Sequence, residues 1–176
     1  MREQKNIYLV GYMGSGKSTA GKQLARTLGY GHIDLDNYFE ETYRISIMDF
    51  FKKYDEQAFR VIERKLLQQT FDLQRYVVST GGGTACFSDN IDLINRRGIS
   101  VYIRMSEKSL FHRLKHSRRP RPRAFLLDDE ALQKRIGDDM QQRAQFYNKA
   151  AFHIKGEDFE VGRLVEMLRP VIAVSL

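Results

Sequence analysis

Residues 11–18 read Gly11-Tyr12-Met13-Gly14-Ser15-Gly16-Lys17-Ser18, a glycine followed after four residues by Gly-Lys-Ser. This is the P-loop pattern, and it constrains the fold more than any other stretch, because such a loop must leave a strand and enter a helix. The glycines let successive backbone N–H groups turn inward around phosphate oxygens. Lys17 supplies a mobile cation for the outer phosphates, and the Ser18 hydroxyl is a ligand for Mg²⁺. The flanks agree. Asn6-Ile7-Tyr8-Leu9-Val10 is β-prone, and Ala20, Leu24, Ala25 and Leu28 recur at helical spacing before Gly29. A glycine-rich turn that binds nothing needs no such frame. The reading is a nucleotide site made by Gly14, Ser15, Gly16, Lys17, Ser18 and Thr19.

Strand and helix patterns alternate along the rest of the chain. His32–Asp36 reads as a second strand, and residues 37–70 are helical in pattern, with a short amphipathic helix around Ile45–Phe51 and a longer one through Ala58–Leu67. Arg75–Ser79 is a third strand, residues 89–97 a helix ending at Gly98, and Ile99–Ile103 a fourth strand. A helix from about Ser106 to Lys115, a long one from Asp128 to about Lys149, a fifth strand at Ala151–Ile154 and a closing helix over 159–169 complete the chain. No repeat or linker divides it. The alternation predicts an α/β fold with a mostly parallel sheet covered by helices on both faces, in one domain. Ligands in such sheets bind beyond the carboxyl ends of the strands.

Several constellations carry chemistry. Asp34 and Asp36, two apart on a strand, point the same way. One can orient Mg²⁺ through water while the other accepts a proton from a substrate hydroxyl, or they can be turn and N-cap aspartates. Arg60 and Glu63, three apart in a helix, form either a surface ion pair or a clamp in which Glu63 holds the guanidinium rigid for a substrate carboxylate. Gly81-Gly82-Gly83 directly after a strand exceeds what a plain turn needs, so a ligand pressed against bare backbone is expected. No Asp ends the preceding strand, which leaves the metal-orienting role to Asp34. His32, His112, His116 and His153 lack metal-ligand spacing, and helical spacing alone does not decide whether Arg143, Phe146 and Tyr147 are ordinary surface and core residues.

Composition narrows the classes. A net charge of +7 over 176 residues is concentrated in Arg113, Lys115, Arg118, Arg119, Arg121 and Arg123, and without those six the chain is near +1. A local anion site is expected, not a nucleic-acid surface. With Pro120 and Pro122 the same segment has the composition of a lid over the transferring phosphate. No apolar run is long enough to span a membrane. The first strand starts so close to Met1 that no signal peptide is expected, and a single cysteine, Cys86, fits a reducing compartment, the cytoplasm, as an inert residue.

Taken together, these residues resemble the shikimate kinases, small P-loop kinases of aromatic amino-acid biosynthesis, from about residue 6 to residue 155. Gly11–Ser18 with Met13, Asp34-Leu35-Asp36, Ser46-Ile47, Phe59-Arg60 with Glu63, Ser79 with Gly81-Gly82-Gly83, and Arg143 with Tyr147 follow that family's motifs in order. The resemblance implies a three-layer fold of nucleoside-monophosphate-kinase type, with a five-stranded parallel sheet in the order 2-3-1-4-5. It also implies MgATP-dependent phosphorylation of the 3-hydroxyl of shikimate. Asp36, Arg60, Gly82 and Arg143 would hold shikimate, with the two arginines on its carboxylate and Asp36 on its ring hydroxyls. Asp34 would orient Mg²⁺, Arg113 would lie near the adenine, and Lys17, Asp36 and Arg121 would act on the reacting groups, Arg121 from the lid at about 113–127. Helices within about 37–70 would bind substrate, and the chain would be a monomer without nucleic-acid or membrane partners.

Two positions depart from the family pattern. Asp55 stands where the family has glycine, and Arg119-Pro120-Arg121-Pro122-Arg123-Ala124 replaces Arg-Pro-Leu-Leu, which keeps Arg119 as the alternative lid arginine. The competing readings are a gluconate-kinase-like enzyme, which the Gly-Gly-Gly and Asp-x-Asp elements disfavour, and a nucleotide-dependent regulator or RNA-binding module using the basic loop.

Overall fold

The computed structural model describes residues 5–117 and 127–172. Strands β1 (Ile7–Val10), β2 (Gly31–Asp34), β3 (Tyr76–Ser79), β4 (Ile99–Arg104) and β5 (Phe152–Lys155) form one parallel sheet in the order β2-β3-β1-β4-β5, as expected. β1 is central: Ile7, Tyr8 and Leu9 pair with Val77, Val78 and Ser79 on one side and with Ile99, Ser100 and Val101 on the other. All four of its residues are fully buried, which is why it reads as an unbroken apolar run.

Its alternation feeds two cores. Ile7 and Leu9 face α1 (Lys17–Leu28) and α8 (Val161–Leu168), packing with Leu24, Ala25, Leu164 and Leu168. Tyr8 and Val10 face the other way, into a core with Ile91 and Ile94 of α5 (Asn90–Arg97), Leu110 and Leu114 of α6 (Glu107–Lys115), and Leu132 and Ile136 of α7 (Asp129–Tyr147). Helices thus cover both faces. α2 (Leu35–Tyr43), α3 (Ile47–Lys53) and α4 (Glu56–Gln69) add a third, aromatic cluster of Phe39, Phe50, Phe59 and Leu66 beyond the β2 edge. Phe39 meets Phe50 edge-on, with ring centroids 5.3 Å apart.

The helical stretch expected over 37–70 is three helices because side chains cap each start. Ser46 accepts from the Asp49 N–H and Asp55 from the Ala58 N–H, and each such cap is worth about 1 kcal/mol. Asp55, the departure from the family glycine, therefore begins α4 cleanly, at φ −82°. One boundary is corrected. The second strand ends at Asp34, not Asp36, because the Asp34 carboxylate accepts from the N–H groups of Asp36 and Asn37 and starts α2 there. Asp36 lies in the first turn of a helix.

Asn6, just before β1, is buried and ties the sheet to the end of α4. Its Nδ2 donates to the Thr70 and Leu73 carbonyls at 2.9 and 2.8 Å, and its Oδ1 accepts from the Tyr76 N–H at 2.9 Å. At roughly 1 kcal/mol per net bond, Asn6→Ala is expected to lower unfolding free energy by about 3 kcal/mol in urea titration. A loss under about 0.5 kcal/mol would deny Asn6 this tie.

Candidate active site

The phosphate loop is built as its sequence predicts. Gly14 (φ 81°) and Gly16 (φ 94°) take left-handed conformations open to glycine, and Gly16 is the N-cap of α1. No side chain caps that first turn, so its N–H groups and the helix dipole face the loop's hollow. Lys17 is buried there, and its Nζ donates to the carbonyls of Gly11 and Tyr12, both at 2.8 Å. The adjoining cavity, of about 260 Å³, is lined by Gly14, Gly16, Lys17, Ser18 and Thr19, by Asp34 and Asp36, and by Gly81, Gly82 and Arg113. Ser15, within the loop, is buried.

Asp34 does two things at once. Its Oδ1 caps α2, and its Oδ2 accepts a hydrogen bond from the Ser18 hydroxyl. A hydroxyl oxygen and a carboxylate oxygen side by side at the edge of a phosphate loop are the hard donors that Mg²⁺ takes, the rest of its shell coming from water and phosphate. Among the described residues no cluster of three or more His, Cys, Asp or Glu could hold a metal on its own, and a nucleotide-bound Mg²⁺ needs none. The residues present fit the ion.

A second cavity, of about 270 Å³, is lined by Arg60, Arg143, Gly83, Cys86 and Phe87, Gly83 following directly on the Gly81 and Gly82 that line the first. Arg60 and Glu63 are not a surface pair. Their side chains are 14% and 4% exposed, with Nη1 of Arg60 at 2.6 Å from Glu63 Oε2. The Thr84 hydroxyl donates to the other Glu63 oxygen at 2.5 Å. Burial pushes the Glu63 carboxyl up, while Arg60 and Thr84 pull it down. From α7, Arg143 donates to the Gly82 carbonyl at 3.3 Å, and the Tyr147 hydroxyl donates to the same oxygen. Two guanidinium groups of similar burial thus line one cavity, an arrangement suited to a carboxylate.

The glycine run is explained differently from the sequence expectation. A Cβ on Gly81 would meet Glu63 Oε1 at 2.5 Å, on Gly82 the Met13 backbone N at 2.8 Å, and on Gly83 the Arg60 guanidinium at 2.3 Å. The groups pressed against this bare backbone belong to the protein itself, although Gly81 and Gly82 also line the phosphate cavity.

Arg113 reaches the loop from α6, with Nη1 at 3.4 Å from the Gly14 carbonyl, and it lines a third cavity of about 340 Å³ with Gln23, Gly156, Glu157 and Phe159. Glu157 accepts the Ser106 N–H at 2.8 Å, and this bond holds its carboxyl down to about 2. Burial pushes the Cys86 thiol up to about 11, so it is protonated and a poor nucleophile at neutral pH. Arg119 and Arg121 lie outside the described residues.

Sequence reasoning missed Thr84, Tyr12 as more than loop filler, and Asp139. Asp139 is 6% exposed and bonds Tyr12 and Arg143. Only the four-residue spacing of Asp139 and Arg143 signals that pair in advance.

The comparisons with known proteins agree with this geometry. The family model for shikimate kinase matches residues 13–169. A shikimate kinase of Parabacteroides distasonis is 39% identical over 153 residues, covering 87% of this chain and 88% of that protein. The crystal structure of shikimate kinase from Bacteroides thetaiotaomicron superposes with a TM-score of 0.89 at 36% identity, over 94% of this chain and 98% of the other. A shikimate kinase from Acinetobacter baumannii, solved in complex with shikimate, gives a TM-score of 0.84 at 27% identity, over 97% and 93%. With its fold, its phosphate loop and its relatives in accord over nearly the whole length, the chain belongs to the shikimate kinase family.

Proposed function

We propose that the residues gathered beyond the carboxyl ends of β1, β2 and β3 carry out this family's reaction, ATP-dependent phosphorylation of shikimate, at its 3-hydroxyl, giving shikimate 3-phosphate and ADP on the way to chorismate and the aromatic amino acids. One observation carries the assignment of roles. Gly82 links the two cavities: it lines the phosphate cavity, and its carbonyl accepts from Arg143, which lines the cavity that also contains Arg60. A small acid anchored by its carboxylate on the two arginines therefore presents its ring toward the phosphate loop.

Within that frame Arg60 and Arg143 bind the carboxylate, and Asp36, in the first turn of α2, orients the 3-hydroxyl and accepts its proton. Lys17 and the amides of Gly14–Thr19 hold the β- and γ-phosphates, with Lys17 exchanging its loop carbonyls for phosphoryl oxygens. Ser18 directly and Asp34 through water would hold Mg²⁺, which when bound neutralises charge on those phosphates. Arg113 flanks the third cavity, beside Gly156 and Glu157, to which we assign the adenine. A lid arginine, Arg121 with Arg119 as the alternative, completes the charge around the phosphoryl group. Positioning and electrostatics supply most of the rate, since the transfer needs little covalent help.

The described residues include no helix long and apolar enough to cross a membrane. We place the enzyme in the cytoplasm as a monomer, the whole chain serving as one kinase domain in which α2–α4 bind substrate and the segment after α6, outside the described residues from 118 to 126, serves as the lid. The placement rests on the lone Cys86 and on the confinement of excess positive charge to that lid.

The direct test is coupled ADP release with MgATP and shikimate, quinate, gluconate or no acceptor. Release with shikimate alone is expected, and release with gluconate but not shikimate would overturn the substrate. Lys17→Ala should lose about a thousandfold or more in kcat with an unchanged circular dichroism spectrum, and near-normal turnover would remove Lys17 from the transfer. Arg60→Lys keeps a cation beside Glu63 but loses the paired donors, so KM for shikimate should rise about tenfold with KM for ATP unchanged. An unaltered shikimate KM would take Arg60 out of the site.

A further inference from the structure

Arg143 is gripped by more than the glycine loop. Asp139, one helical turn earlier on α7, is buried, and its Oδ2 accepts from Arg143 Nη2 at 3.3 Å, from Arg135 Nε at 3.1 Å and from the Tyr12 hydroxyl at 2.8 Å. The Tyr12 ring also lies under the Arg143 guanidinium, 5.2 Å from Cζ to the ring centroid. Tyr12 belongs to the phosphate loop. A single phenol therefore holds Arg143 twice, by its face directly and by its hydroxyl through Asp139.

We propose that Asp139 is a positioning residue for shikimate: with Tyr12 it fixes the Arg143 guanidinium in the orientation that receives the substrate carboxylate. The inference rests on the assignment of Arg143 to that carboxylate. A guanidinium carries five N–H donors in one plane, so bonds to Asp139 and the Gly82 carbonyl fix the plane while other donors stay available to a ligand. Without those bonds the group can turn about its long side chain, and a carboxylate must bear the ordering cost on binding. The arrangement repeats on the opposite wall, where Glu63 holds Arg60. Arg135 differs from Arg143 in facing solvent, its side chain 37% exposed against 13%.

A role in helix stability alone would make the same contacts, so the test needs a readout that stability does not move. Steady-state kinetics would be measured with shikimate and with its methyl ester, which lacks the carboxylate charge, for the wild type and for Asp139→Asn, Tyr12→Phe, Arg135→Ala and Arg143→Lys. Asp139→Asn keeps the shape and one acceptor oxygen. It is expected to raise KM for shikimate about tenfold, to leave kcat and KM for ATP within about twofold, and to shrink the preference for shikimate over the ester by a similar factor. Tyr12→Phe, which removes only the hydroxyl, should raise shikimate KM about threefold, and Arg135→Ala should change neither KM nor preference.

Equal losses on shikimate and ester would reduce Asp139 to a structural ion pair, and a lower shikimate KM would make it a competitor for Arg143. Either overturns the proposal. If thermal melts show that Asp139→Asn does not fold, Tyr12→Phe decides alone, an unchanged shikimate KM overturning the positioning role. Should Arg143→Lys retain the full preference for shikimate over the ester, the carboxylate assignment itself fails, an outcome separate from a null effect at Asp139.

Discussion

The pairing of β1 on both sides sets the rest of the structure. Because Ile7–Val10 is hydrogen-bonded to β3 and β4 and buried on both faces, the chain that leaves Val10 has one place to go, over the carboxyl edge of the sheet. There the loop meets the chain leaving β3, and Thr80 bonds back to the Leu9 carbonyl through its N–H and its hydroxyl, at 3.1 and 2.9 Å. That contact sets Gly82 against the Met13 backbone. Phosphate loop and glycine loop are thus one assembly, and the cavities on either side of it inherit their spacing from strand register.

Charge is handled locally around this assembly. Each arginine expected to bind the substrate carboxylate has a buried acidic partner, Glu63 for Arg60 and Asp139 for Arg143. A buried guanidinium without a partner would be costly, while one fully neutralised by bidentate pairing would have little left for substrate. Here the partners are shared. Glu63 also accepts from Thr84, and Asp139 also accepts from Tyr12 and Arg135. Arg60 also pairs with Glu56 at 3.3 Å, so each arginine is held in place by more than one partner at the wall of their common cavity.

Much of this was legible in the sequence, for identifiable reasons. The phosphate loop, the alternation of strands and helices and the order of the motifs are local patterns, and local patterns survive folding. Asp34 and Asp36 show where legibility ends: a spacing of two suits one face of a strand, yet the Asp34 carboxylate caps α2 and moves Asp36 onto a helix. Nothing in the three-residue spacing of Arg60 and Glu63 tells whether that helix face meets water or Gly83. The glycine run was legible as a close approach, but what approaches it, Glu63, Met13 and Arg60, comes from segments 18 to 69 positions away in the sequence. Asp139 was invisible because its meaning depends on Tyr12, 127 positions earlier.

The aromatic cluster of α2, α3 and α4 has a consequence for change in this molecule. Phe39, Phe50, Phe59 and Leu66 bury one another apart from the two cores that flank the sheet. Among the described residues only Tyr38 packs against both this cluster and the core that holds Tyr8 and Val10, while Leu35 and Leu67 carry the inner faces of α2 and α4 into that core. The part of the acceptor side carried by α2–α4 is thus packed separately, whereas Arg143 and Gly82 stay tied to the phosphate loop through Tyr12 and Met13. A scaffold divided in this way can vary the outer packing of its acceptor helices without relearning how to hold a nucleotide.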